Sequence, residues 1–138
     1  MPEKATRTIL AFDYGARRIG VAVGEPELGT SHPLPGIAAE GVARFAAIER
    51  LVAEWNPARL VVGLPLSAQG ARHATTRRAE RFARQLSGRF RLPVELVDER
   101  YTSVEAAHRL RGQRASKLAV DSVAAQLLLE QYYDEHAA

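Results

Sequence analysis

Hydrophobic positions change period several times along the chain, and each change predicts an element. An apolar, β-favouring stretch over Thr8–Phe12 is followed by a second over Ile19–Gly24, with Asp13 and Gly15 between them. Two strands joined by a short turn fit this pattern. Residues 25–36 contain glycine and three prolines and read as a loop, with a short edge strand near Leu34–Ala38 as an alternative. From Glu40 to Trp55 the positions Val42, Phe45, Ile48, Leu51, Val52 and Trp55 recur at helical spacing, and Asn56-Pro57 ends that helix.

Leu60–Leu64 is a short continuous apolar run, as expected of a buried, parallel strand. Pro65–Gly70 reads as a loop. Residues 72–88 form a basic helix with Ala79, Phe82, Ala83 and Leu86 on its inner face and Arg77, Arg78, Arg81 and Arg84 around the rest. Val94–Val97 is the next strand. Thr102-Ser103-Val104-Glu105 matches a capping box, which starts a helix running to about Gly112. Leu118–Tyr133 is the last helix, with Val120, Val123, Ala124, Leu127 and Leu128 as its buried stripe. The order predicts an α/β domain with a mixed sheet: an antiparallel opening, then βαβ crossovers.

At 138 residues the chain is expected to form one domain over residues 1–138. No stretch reaches the roughly 18 apolar residues of a membrane span. The first seven residues lack the apolar core of a signal peptide, so the expected location is the cytoplasm. There is no cysteine, which excludes disulfides and thiolate metal sites.

Charge is distributed unevenly. Residues 1–71 balance, residues 72–114 carry a net of +6 that comes entirely from arginine, and residues 115–138 carry a net of −3. A basic central block is what contact with a phosphate backbone needs. A solvated helix face in an arginine-preferring chain has the same appearance.

Carboxylates carry the candidate chemistry. Asp13 ends the first strand, where alternating Val or Thr would suit a strand better and where a turn would also accept an aspartate. Asp98-Glu99 follows the Val94–Val97 strand, at the end where open α/β sheets place their ligands. Asp121 sits on or beside the apolar stripe of the last helix, an expensive place for a carboxylate without a partner or a cation. Each has an ordinary explanation as a turn, loop or helix-start charge. If they converge, they offer oxygen ligands to a hard divalent cation, Mg²⁺ or Mn²⁺, able to activate a water and stabilise a departing oxygen in phosphodiester cleavage.

The chain resembles the YqgF/RuvX family of small bacterial proteins. The resemblance rests on four segments in order: Phe12-Asp13-Tyr14-Gly15 with Arg18-Ile19-Gly20-Val21-Ala22, Val61-Val62-Gly63-Leu64-Pro65-Leu66, Asp98-Glu99-Arg100-Tyr101-Thr102, and Val120-Asp121-Ser122-Val123-Ala124-Ala125. It implies an RNase H-like fold, a five-stranded mixed sheet with strand two antiparallel and helices flanking it. It also implies metal-dependent nuclease chemistry at Asp13, Glu99 and Asp121, with Asp98 in reserve. The wider superfamily places an acid at the end of the fourth strand, where this chain has Gly63-Leu64-Pro65; Glu99 is expected to compensate. The family is linked with maturation of the 5′ end of 16S ribosomal RNA and with Holliday-junction resolution.

The remaining candidates concern phosphate. Arg18 and Arg100 flank the acids and can hold a scissile phosphate or act as structural partners of Asp13 or Asp98. Lys117, one turn before Asp121, has the same two readings, and Arg77 and Arg78 offer backbone contacts. Gly63 and Gly70 can admit backbone amides to a phosphate or simply form a strand-to-helix loop. The leading function is an endonuclease acting on structured nucleic acid, either pre-16S rRNA or branched DNA. A two-fold dimer suits a four-way junction, whereas a monomer suffices for one RNA end. A non-cleaving nucleic-acid-binding module is the reading from another class. An actin-like ATPase needs two copies of the fold, and this chain supplies one.

Overall fold

The computed structural model describes residues 7–64, 74–98 and 116–136. Five strands form one sheet: β1 (Ile9–Asp13), β2 (Ile19–Glu25), β3 (Thr30–Ile37), β4 (Arg59–Leu64) and β5 (Val94–Asp98). Their order is β3-β2-β1-β4-β5. β2 is antiparallel to β1 and β3, whereas β4 is parallel to both β1 and β5. This is the mixed sheet expected, with strand two antiparallel. Helices α1 (Val42–Trp55), α2 (Ala74–Phe90) and α3 (Lys117–Glu135) complete the described elements. The helix expected from Thr102 and the loop expected over Pro65–Gly70 lie outside the described residues.

Strand alternation sorts the core into two layers. Leu10, Phe12, Val21, Leu60 and Val62 pack with Ile48 of α1 and Phe82 and Leu86 of α2. Ile9, Ala11, Ala22, Val61 and Val97 pack with Ala125, Leu128, Leu129 and Tyr132 of α3. The buried face of α2 is the one the periodicity predicts, and Arg77, Arg78, Arg81 and Arg84 are exposed. Phe82 ties the first layer together, with ring centroids 6.2 Å from Phe12, 5.0 Å from Tyr14 and 6.0 Å from Phe45.

Three local expectations change. The segment read mainly as a loop contains all of β3 but Ile37, and the strand's prolines, Pro33 and Pro35, are tolerated because β3 is an edge strand. The helix expected from Glu40 begins at Val42, behind Gly41, which provides no side-chain cap. It ends as expected at Asn56, which adopts the left-handed conformation (φ 45°) and donates its amide to the Val52 carbonyl. Val42, placed on the buried stripe by spacing, is 79% exposed, while Arg44 is 7% exposed. The buried positions of α1 are Arg44 and Ile48.

Candidate active site

Asp13 is the last residue of β1, and alternation places it with Ile9 and Ala11 on the α3 side of the sheet. Gly20, opposite Asp13 on β2, faces the start of α3. A Cβ there would lie 1.9 Å from the Asp121 carbonyl oxygen, so only glycine lets the start of α3 reach the strand. The β2–β3 register slips between Ile19 and Val21. At this slip the Val21 amide donates to the buried Ser122 hydroxyl at 3.1 Å. Ser116 caps the helix by accepting the Ala119 amide at 3.0 Å. Together these contacts fix Asp121 over the end of β1 and the start of β2.

Asp13, Asp121 and the turn residues Tyr14 to Arg18 line one open cavity of about 280 Å³. Arg18 Nε donates to Asp121 Oδ2 at 2.7 Å. The pair is partly open to solvent, with 42% of the Arg18 side chain and 20% of that of Asp121 exposed. The bond to Asp121 and its charge, with a smaller contribution from Asp13, raise the Arg18 pKa above its ordinary value. Arg18, like any guanidinium a permanent cation, thus bonds Asp121 and shares the cavity with Asp13.

The turn that carries Arg18 is tight, since a Cβ on Gly15 would lie 2.5 Å from the Arg18 carbonyl oxygen. Arg44 holds it from inside. Its Nη2 donates to the carbonyl oxygens of Gly15 at 3.3 Å, Ala16 at 2.6 Å and Ala39 at 3.2 Å. The guanidinium also lies 5.5 Å from the centre of the Tyr14 ring. A buried charge is expensive unless its donors are satisfied, and here backbone carbonyls do so. Sequence reasoning passed over Arg44. The available signal was an arginine in helical phase with Ile48, Leu51 and Trp55.

The other candidates are dispersed. Asp98 lies at the end of β5, two strands from Asp13. Val97 faces α3, so alternation turns Asp98 to the opposite side of the sheet. Its carbonyl accepts from Gln131 Nε2 at 2.8 Å, at a position about 15 Å along α3 from Asp121. Alternation thus places Asp98, the reserve ligand, on the other face of the sheet from Asp13. Gly63 is buried in β4 opposite Val97, and β4 ends at Leu64 without a carboxylate. Lys117 is exposed at the first position of α3, and Arg77 and Arg78 are exposed near the start of α2. Glu99, Arg100 and Gly70 lie outside the described residues. Among the described residues no three His, Cys, Asp or Glu side chains form a cluster able to hold a metal ion. Asp13 and Asp121 supply hard oxygen donors to one shared cavity, which suits a divalent cation, with Glu99 as the expected third donor.

The sheet order and strand directions, with helices on both faces, define the RNase H-like class. Thermus thermophilus RuvC in complex with a Holliday junction substrate is similar to this chain in fold. That similarity has a TM-score of 0.59 at 14% identity and covers 95% of this chain and 96% of that one. A family model described as "RuvX: Holliday junction resolvase" matches residues 7–135, and the chain belongs to this family. A relative from Methylobacillus flagellatus is 50% identical over 142 residues, covering 97% of each chain. Another from Dechloromonas aromatica is 51% identical over 132 residues, covering 92% of this chain and 90% of the relative. Both carry, provisionally, the name pre-16S rRNA nuclease.

Proposed function

We propose that this chain is a divalent-cation-dependent endonuclease that hydrolyses phosphodiester bonds in structured RNA, and that it matures the 5′ end of pre-16S rRNA. One observation carries the reading. Asp13 and Asp121, from opposite ends of the sequence, line one open cavity at the end of the sheet, with an arginine bonded between strand turn and helix. The names of relatives about half identical to this chain support an RNA substrate. The family description and the likeness to RuvC support the second reading, cleavage of four-way DNA junctions.

In this reading Asp13, Asp121 and Glu99 hold Mg²⁺ or Mn²⁺, which when bound supplies an activated water and charge neutralisation at the departing oxygen. The chain's own part is positioning. Gly20, Ser122 and Arg44 keep the two aspartates at the cavity, while Arg18, Arg100 and Lys117 receive phosphate. Arg77 and Arg78 extend the contact along α2, followed on the exposed side of that helix by Arg81 and Arg84. Backbone contacts of this kind hold the substrate without reading its sequence. The products are a 5′-phosphate and a 3′-hydroxyl, and the protein works in the cytoplasm as a monomer on RNA or as a homodimer on a junction. No described helix is long and apolar enough to cross a membrane.

The test is cleavage of a 16S precursor fragment and a synthetic four-way junction, side by side, in Mg²⁺ and in Mn²⁺. Asp13→Asn and Asp121→Asn should each reduce cleavage by about a thousandfold or more while binding and folding persist. Undiminished cleavage by either variant removes the metal site. Cleavage of the junction alone selects the DNA reading, and binding of either substrate without cleavage selects the non-cleaving module.

A further inference from the structure

Among the described residues, the guanidinium of Arg18 is bonded on one edge. Nε donates to Asp121 Oδ2, and among the described residues no hydrogen-bond partner meets either Nη group. The side chain is 42% exposed and borders the cavity that holds Asp13. Arginine presents its donors as a rigid planar fork, so one edge can fix a carboxylate while the other faces outward. The base of the side chain is also fixed. Arg44 holds the Gly15 and Ala16 carbonyls, and Gly15 packs against the Arg18 carbonyl.

We propose that Arg18 is a bridging residue, its Nε orienting the Asp121 carboxylate toward the cation and its Nη edge donating to a phosphate oxygen of the substrate. This inference rests on the nuclease reading and adds a positioning role toward Asp121 to the phosphate contact. It explains why an arginine suits the position. A lysine ammonium is a single point of charge, able to meet the carboxylate or the phosphate but not to hold both in fixed relation. It also places a cation beside a cation site, which by Coulomb repulsion alone would weaken metal binding. The orienting bond acts in the opposite direction, as hydrogen bonds to metal-ligating carboxylates generally do. A substitution that removes the charge mixes the two opposing effects, whereas lysine keeps the charge and isolates the orienting bond.

The experiment is a Mn²⁺ titration followed by electron paramagnetic resonance, without nucleic acid, on the unaltered protein and on Arg18→Lys. A thermal unfolding midpoint accompanies each sample, and Arg18→Gln provides a second variant. With the orienting role, Mn²⁺ binding by Arg18→Lys weakens by about tenfold at an unchanged midpoint. Its kcat falls by about 10- to 100-fold. KM stays within about threefold because an ammonium still reaches the phosphate. In Arg18→Gln both kcat and KM deteriorate. Mn²⁺ affinity that is unchanged or tighter in Arg18→Lys overturns the proposal and leaves the nuclease reading intact. Failure of the unaltered protein to bind Mn²⁺ overturns both.

Discussion

The two ends of the sheet handle charge in different ways. At the beginning of β1 and β4, Arg59 Nη1 meets Glu95 at 2.6 Å and the Tyr132 hydroxyl at 2.7 Å, and His136 Nε2 lies 3.2 Å from the other Glu95 oxygen. Arg7 pairs with Glu27 at 3.1 Å. Arg7, Arg59, Tyr132 and His136 border the larger cavity, about 790 Å³, together with Pro26, Tyr133 and Asp134. Its arginines are matched by acids of the same chain. At the other end the cavity is smaller, about 280 Å³, but Arg18 keeps one edge of its guanidinium toward solvent beside two carboxylates. Cavity size therefore does not locate the chemistry. Hydrogen bonds from Arg59 to Glu95 and to Tyr132 fasten α3 to the sheet, whereas the Arg18–Asp121 pair shares its cavity with a second carboxylate, Asp13.

Substitutions that separate the two ends test this contrast. The largest effect is expected at Gly20, where a methyl group must displace the backbone of α3 at Asp121. Gly20→Ala should lose about 3 kcal/mol in urea unfolding. It should also lose cleavage under conditions where the chain remains folded, because Asp121 moves. Retained cleavage with retained stability would mean that α3 does not depend on this close approach.

Arg44→Met comes next. It removes the donor that serves the Gly15, Ala16 and Ala39 carbonyls and should cost about 2 kcal/mol by the same measurement. Cleavage should fall more than stability explains, since the turn bearing Arg18 loosens. A loss of stability with full activity would reduce Arg44 to a packing role.

The smallest effect belongs to the opposite end and should leave cleavage untouched. Burial, with the nearby charge of Glu25 and then Tyr132, pushes the Tyr133 pKa from 10.0 up to about 12. The phenol donates to the Thr30 carbonyl at 2.9 Å. An unfolded chain loses this proton near 10, before the folded one does. The contribution is thus complete below pH 10 and declines as pH rises toward 12. Thermal midpoints at pH 9 and 11 should separate more in the unaltered protein than in Tyr133→Phe. Equal separations would show that Tyr133 ionises alike in both states.

The pattern of short-range periods was sufficient for much of the architecture. Four of the five strands, three helices and the buried face of α2 follow from residues a few positions apart, because pleat and helical turn repeat over that distance. Asp13 and Asp121 stood out for the same reason, as carboxylates beside apolar runs. The proline-bearing β3 was harder to see, because an edge strand is defined by the neighbour it lacks. Arg44 and Val42 exchanged places because periodicity counts hydrophobicity, while burial here followed the carbonyls of a distant turn.

By itself, then, the sequence determined all the described elements but β3, the mixed sheet and the family, carried by local pattern and by four short motifs. Only the tertiary structure decided which acids stand together. Asp121 joins Asp13 across the close approach at Gly20, and alternation along β5 turns Asp98 away. The partner of Arg18 is likewise a residue 103 positions distant. Such pairings depend on how strands register and how closely a helix can pack, and no pattern of near neighbours encodes either.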